Sequence, residues 1–266
     1  ECRGHMFEVN KLGEAIRLAS LPPEKFFNHM ENPFTMDLDL SQVEEIQDKA
    51  DGSLITTYMH DGVLQVKTKG SLSSDQAINA NAYLRWDENT AFRAELIKGE
   101  ELDCTIIMEW CAPDNRIVLP YMDAHLKVLG LRSRADGSYM EYDDVVSSMF
   151  PVVRDRWTKI IDVDNTFVTN EEFITSVDDM QGVEGVVFRM ANGQRVKKKG
   201  FWYLALHHTK DSITVPRRLF EAVLEEATDD MRSLFHDDPL AIKMIADMEV
   251  FVEQKYNHMV DTVERF

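Results

Sequence analysis

Four Asp-Gly or Asn-Gly dipeptides divide the chain before Gly200: Asp51-Gly52, Asp61-Gly62, Asp136-Gly137 and Asn192-Gly193. Such pairs favour tight turns, because glycine takes positive φ at little cost and Asp or Asn bonds its own backbone. Strand-like runs flank them. "SLITTYMH" and "GVLQVKTKGS" meet across Asp61-Gly62, "AHLKVLGLRS" precedes Asp136-Gly137, and "GVEGVVFRM" and "GQRVKKKG" meet at Asn192-Gly193. This punctuation predicts antiparallel sheets. "GHMFEV" and "EAIRLAS" read as an early hairpin, "CTIIMEWCA" as a buried strand, and "LPPEKFFNHMENPF" as a loop with aromatic anchors. "SDQAINANAYLRW" and "ENTAFRAELIKGEEL" repeat apolar residues at spacings of three and four, which predicts two helices. After Pro216 the pattern turns helical throughout, with Pro216 and Thr228 as start signals. A last helix is expected from Asp238 as cap and Pro239 at its first position, with Ile245, Met248, Val252, Met259 and Val263 on one face. The class is α+β followed by α, with domains expected at 1–213 and 214–266.

At 266 residues and 44% hydrophobic, the chain can bury a substantial core. Its net charge of −18 excludes a sequence-blind nucleic-acid coat but leaves room for a local basic cleft. Cys2, Cys104 and Cys111 make no paired motif and read as small core residues in a reducing, cytoplasmic setting. No apolar run approaches the roughly 18 residues of a membrane span. The chain opens on Glu1 and "CRGHMFEV", which reads as the inside of a domain, so truncation at the N-terminus is expected.

The tetrapeptide Ala-Asp-Gly-Ser occurs twice, in "DKADGSL" and in "SRADGSY". Local physics makes both copies hairpin turns. The preceding residue separates them. Lys49 can lose its proton and become a nucleophile, whereas Arg134 cannot. The second copy is therefore expected to be a plain turn in which Lys could replace Arg134 without effect.

Polar residues also stand inside apolar strands. Glu109 lies in "IIMEW", Glu184 opens "EGVVF", and Lys197 and Lys199 lie two apart, on one face of "RVKKKG". Taken singly, each has an ordinary reading: a satisfied core glutamate, or lysines on a solvated strand edge. Taken in order, they resemble a known set. Lys49-x-Asp51-Gly52, then Glu109, then Glu184-Gly-Val-Val, then Lys197-x-Lys199 is similar to motifs I, III, IV and V of the covalent nucleotidyltransferases: DNA ligases, RNA ligases and mRNA capping enzymes. Within that group the chain most resembles the phage tRNA-repair RNA ligase family (RNA ligase 1), through "ECRGHMFE", "PPEKFFNHMENPFT", "VKTKGS", "EWCAPDNRIVL" and "VKKKGFWYLALHHTK". DNA ligases and capping enzymes usually carry Arg where this chain has Leu54. Their reading therefore stands second, beside that of a fragment that binds ATP or RNA ends without joining them.

The resemblance implies a nucleotidyltransferase domain of antiparallel sheets with flanking helices, followed by an all-α segment that continues past Phe266 in the family. It implies a monomeric ATP-dependent RNA ligase, using Mg²⁺ and acting in RNA or tRNA repair in the host cytoplasm if phage-encoded. Its partner would be RNA with 5′-phosphate and 3′-hydroxyl ends, possible nicked tRNA among them, with no membrane. Lys49 would attack ATP to give lysine–AMP, helped by Lys197 and Lys199 on the phosphates. Arg3, Lys25, Asp51, Gly52, Lys69 and Glu109 would complete the ATP/AMP site. Glu109 and Glu184 would hold the metal, with Asp229 and Asp230 as further metal candidates or a helix cap. Lys49 must react as a neutral amine, and nearby Lys197 is expected to lower its pKa. "FWY" at 201–203 would stack on a base or pack in a core.

Overall fold

The computed structural model describes residues 3–140, 142, 144–162, 169–225, 227–236 and 238–264. Its strands are β1 (Met6–Val9), β2 (Ala15–Ser20), β3 (Phe27–Asn28), β4 (Val43–Asp48), β5 (Ser53–His60), β6 (Val63–Thr68), β7 (Cys104–Cys111), β8 (His125–Ser133), β9 (Tyr139–Met140), β10 (Gly185–Met190) and β11 (Arg195–Lys199). They form a β1–β2 ribbon, a four-stranded sheet in the order β3-β11-β10-β4, and a five-stranded sheet in the order β6-β5-β7-β8-β9. Neighbours pair antiparallel as expected, except β3, which runs parallel to β11. That strand falls in the proline-bearing stretch read as a loop; two residues carry no period from which a strand could be foreseen.

Side-chain alternation decides what each sheet face does. In β7, Ile106, Met108 and Trp110 point to a core with Tyr83, Phe92 and Leu96, from the helices Asp75–Leu84 and Thr90–Glu101. Ile107 and Glu109 therefore point the other way. In the four-stranded sheet, Ile46, Val186, Phe188 and Val196 pack against Phe173 and Ile174 of the helix Asn170–Ser176. Val187, Arg195 and Lys197 face away from that core. Each sheet thus has one face under helices and one face turned to a shared cleft. Cys104 and Cys111 are buried and free, and Cys2 lies outside the described residues.

The two Ala-Asp-Gly-Ser copies part company here. The second is a hairpin turn between β8 and β9, with Gly137 at φ 78°. The first is no hairpin. β4 and β5 belong to different sheets, and residues 49–52 carry the chain from one sheet to the other. Ala50 and Asp51 are buried in this crossing. Gly52 is needed there for proximity, since a Cβ would lie 2.2 Å from the Trp110 carbonyl oxygen.

The chain forms two compact units, residues 1–200 and 201–266. Residues 201–214 form a helix whose Leu206 and Ile213 pack with Leu219, Phe235, Ala241 and Ile245. Tyr203 is buried against the His207 ring, so the core reading of "FWY" holds for that residue. The last helix, Pro239–Glu264, is capped as expected: Asp238 Oδ1 accepts from the Ala241 N–H at 3.1 Å. Its stripe divides. Ile245 is buried, Met248 borders the core, and Met259 is exposed, while the Val263 side chain lies outside the described residues.

The expectation that Arg134 is replaceable does not survive. Its side chain is 3% exposed and its guanidinium bonds Glu100 at 2.8 Å, Asp103 at 2.9 Å and the Cys104 carbonyl at 3.0 Å. A single ammonium cannot reproduce that fork. Arg134→Lys should cost about 1–3 kcal/mol through unbonded buried acceptors, and Arg134→Ala about 3–5 kcal/mol by stranding the Glu100 carboxylate. Urea unfolding is the measurement, and unchanged midpoints in both variants would contradict the assignment.

Candidate active site

The crossing at Lys49 is pinned to both sides. The Lys49 N–H donates to the Gly185 carbonyl at 2.9 Å, and the Asp48 N–H donates to the Lys159 carbonyl at 2.8 Å. Gly185 opens β10 at φ +145°, opposite Lys199 in register. A Cβ there would sit 2.0 Å from the Lys198 carbonyl oxygen, so only glycine permits this approach. The residue before it, Glu184, is 3% exposed. Its Oε1 accepts from Lys49 Nζ at 2.8 Å and from Lys199 Nζ at 2.9 Å. Strand alternation turns Lys198 the other way, to Asp178 at 2.8 Å. Lys197 shares the face of Lys199, and its pKa is lowered by burial and by the charges of Lys49 and Lys199.

Glu109 enters from the five-stranded sheet, in register with Leu54 and Lys127. Burial pushes its carboxyl up to about 7; Lys49 opposes the shift, while Glu184 and Asp51 add to it. The Gly52 N–H donates to this carboxylate. Asp51 has a structural task. Its Oδ2 accepts from the N–H groups of Val118 at 2.9 Å and Leu119 at 2.6 Å, and its own N–H donates to the Tyr121 hydroxyl at 3.1 Å. Asp51 thereby fastens the loop after β7 beneath Lys49.

Lys49 departs from its expected protonation. Burial favours the neutral amine, but Glu184, Glu109 and Asp51 together outweigh it and raise the pKa. As folded here, Lys49 is an ammonium. The three carboxylates favour the ammonium more strongly than burial disfavours it.

The cleft between the sheets has a volume of about 280 Å³. Arg3, Lys25, Lys49, Lys69, Glu109 and Lys197 all border it, joined by apolar Leu54, Ile107, Leu129 and Val187. Six of the expected residues therefore converge on one cavity, with Glu184 and Lys199 tied to it through Lys49. Gly52 and Asp51 lie beneath. Asp229 is exposed in the first turn of the helix Thr228–Leu234, in the other compact unit, and the Asp230 side chain lies outside the described residues. Three residues were missed: Tyr139 and Arg195 line the cleft, and buried Lys67 donates to the Gly4 carbonyl at 2.8 Å, beside Arg3. Arg195 was legible, standing two residues before Lys197. Lys67 stands two before Lys69 in the same way. Tyr139 had no local signal.

Among the described residues, no group of three or more His, Cys, Asp or Glu side chains is placed to hold a metal ion. Magnesium does not need one, since it takes one or two carboxylates and fills its remaining positions with phosphate oxygens and water. Glu109 and Glu184 fit that donor set.

A family model described as RNA ligase matches residues 1–209, and one described as T4 RNA ligase 1, C-terminal domain, matches residues 210–266. The chain belongs to the RNA ligase family of T4 RNA ligase 1. A putative RNA ligase of Thermovibrio ammonificans is 26% identical over 87% of this chain and 60% of its own length. RNA ligase 1 of bacteriophage TS2126 is 27% identical over 80% of this chain and 53% of its own length. The chain thus spans some half to three-fifths of these relatives. The fold is also that of a Naegleria gruberi RNA ligase mutant solved with ATP and Mn: TM-score 0.53 and 16% identity, over 76% of this chain and 64% of the other.

Glu109 generates a pH dependence. Its carboxyl binds a proton more tightly folded, at about 7, than at its ordinary 4.5. The folded state then holds more protons between those values, so stability falls as pH rises through that window. Glu109→Gln should remove this slope and raise stability above pH 7 by about 1–3 kcal/mol. Melting temperatures from pH 4.5 to 8.5, with chelator present, test it; a slope that persists in the variant would refute the shift.

Proposed function

We propose that this chain carries the adenylylation centre of an ATP-dependent RNA ligase, with Lys49 as nucleophile. The observation that carries the reading is the convergence of Lys49 and Lys199 on Glu184 at the cleft that also gathers Arg3, Lys25, Lys69, Glu109 and Lys197. Lys49 Nζ would attack the α-phosphorus of ATP. The P–N bond forms, the bond to pyrophosphate breaks, and AMP remains on the lysine. AMP would next pass to an RNA 5′-phosphate, and a 3′-hydroxyl would then displace it to close the strand.

The chain's own residues account for much of this. Leu54, Ile107, Leu129 and Val187 give the cavity apolar walls suited to a base. Lys197, Lys199 and Arg3 would neutralise phosphate charge, the main requirement of phosphoryl transfer. Glu109 and Glu184 would hold Mg²⁺, which supplies charge neutralisation on the phosphate oxygens. The same carboxylates keep Lys49 protonated in the unliganded site. Attack requires that their charge be drawn off the ammonium, after which Lys197 and Lys199 favour the neutral amine.

RNA with a 5′-phosphate and a 3′-hydroxyl is the proposed substrate, nicked tRNA its proposed natural form. Kinship with a phage enzyme supports the host cytoplasm as the proposed place of action, and a monomer suffices for a site built within one unit. Among the described residues no helix is long and apolar enough to cross a membrane.

Incubation with α-labelled ATP and Mg²⁺ should label the protein. Lys49→Arg keeps the charge but removes the amine that can be freed, and should abolish labelling; chelation should do the same. Labelling of the variant at the wild-type level would end the assignment.

A further inference from the structure

Residues 195, 197 and 199 share one face of β11, so the pair of lysines is the inner part of a row of three cations. Lys199 reaches Glu184, and Lys197 stands beside Lys49. Arg195 is the outermost. Its guanidinium lies 3.8 Å from the centre of the Tyr139 ring. Arg132 stands 5.1 Å from the same ring and is fully engaged, donating to the Pro22 carbonyl at 2.6 Å, Glu24 at 2.8 Å and the Gly137 carbonyl at 3.0 Å. The Tyr139 hydroxyl accepts from the Glu24 N–H at 3.2 Å. Tyr139 is therefore fixed from its hydroxyl and from Arg132, and it holds Arg195 in a defined place.

Arg195 stands on the boundary between two cavities. One is the nucleotide cleft. The other, about 420 Å³, shares Glu24, Lys25, Phe26, Tyr139 and Arg195 with it and extends to Phe27 and the turn Asn192–Gln194; the Glu24 carboxylate there is paired with Arg132. Lys25 lies 4.3 Å over the Phe27 ring and 3.9 Å from Glu31. The second cavity thus offers an arginine fork, an ammonium and an aromatic surface. An arginine fork suits a terminal phosphate, which can accept two parallel bonds.

We propose that this second cavity seats the 5′-phosphate end of the RNA strand that receives AMP, with Arg195 as phosphate contact and Tyr139 as the residue that positions it. The inference rests on the adenylylation reading above. A phosphate held at the boundary would present an oxygen to the α-phosphorus of lysine-linked AMP. The new P–O bond forms as the P–N bond breaks, and the electron pair returns to Lys49 Nζ, which takes up a proton. The pyrophosphate half of ATP carries the same chemical group, so the test must separate the two.

Fluorescence anisotropy on the 266-residue chain, with one oligoribonucleotide carrying either a 5′-phosphate or a 5′-hydroxyl, makes that separation. The wild type should prefer the phosphate by about tenfold, the size of one charge-assisted contact. Arg195→Ala should bring the preference to near unity, Arg195→Lys should keep part of it, and Tyr139→Leu should weaken it while Tyr139→Phe does not. Calorimetric titration with inorganic pyrophosphate should show a smaller loss in Arg195→Ala. An absent preference in the wild type, or one that survives Arg195→Ala, overturns the proposal. So does a loss of pyrophosphate affinity equal to or larger than the loss for RNA. An Arg195-dependent preference in a chain that never forms lysine–AMP would instead uphold the seat and sink the adenylylation reading.

Discussion

The Glu184 carboxylate is almost wholly removed from water and holds two ammonium groups, one from the crossing between the sheets and one from β11. A buried ion is stable only when well paired. This one is paired twice, and the geometry of the surrounding backbone follows from that need. Gly185 lets β10 approach β11 without a Cβ, and the Lys49 N–H bonds the Gly185 carbonyl. The crossing is held from beneath by Asp51 and by the approach of Gly52 to Trp110.

A carboxylate shared by two ammonium groups leaves local positive charge. Lys197, Arg195, Lys25, Arg3 and Lys69 extend it around the cleft. The chain as a whole has the opposite balance, with a net charge of −18. A concave positive site in an acidic protein focuses the field on anions that enter it and lets others be repelled elsewhere. On the proposed reading this division would suit a protein that admits a polyphosphate and one end of a nucleic acid without binding nucleic acid along its whole surface.

If Lys49 is the nucleophile proposed above, its protonation would keep the unliganded site quiet. Its three carboxylate neighbours stabilise the ammonium, which has no lone pair for attack. Those carboxylates include the two suited to a divalent cation. On that reading, binding of ligands and release of the amine would be coupled through the same groups.

The sequence by itself determined the local periods. Alternation in "RVKKKG" placed Lys197 and Lys199 on one face, "CTIIMEWC" gave a buried strand with Glu109 opposed to its core side, and spacings of three and four gave the helices that cover β7. Resemblance of ordered motifs supplied the chemistry. Only the tertiary structure decided what lies far apart in sequence. It paired β4 with β10, put β4 and β5 in different sheets, assigned residues 201–214 to the helical unit, and gave Asp51 a loop to hold. It also set the charge state of Lys49, because a pKa depends on which carboxylates are near in space. The physical reason is one of range: side-chain alternation and helical spacing are fixed within a few residues, whereas strand partners, buried ion pairs and electrostatic neighbours are chosen by packing across the whole unit.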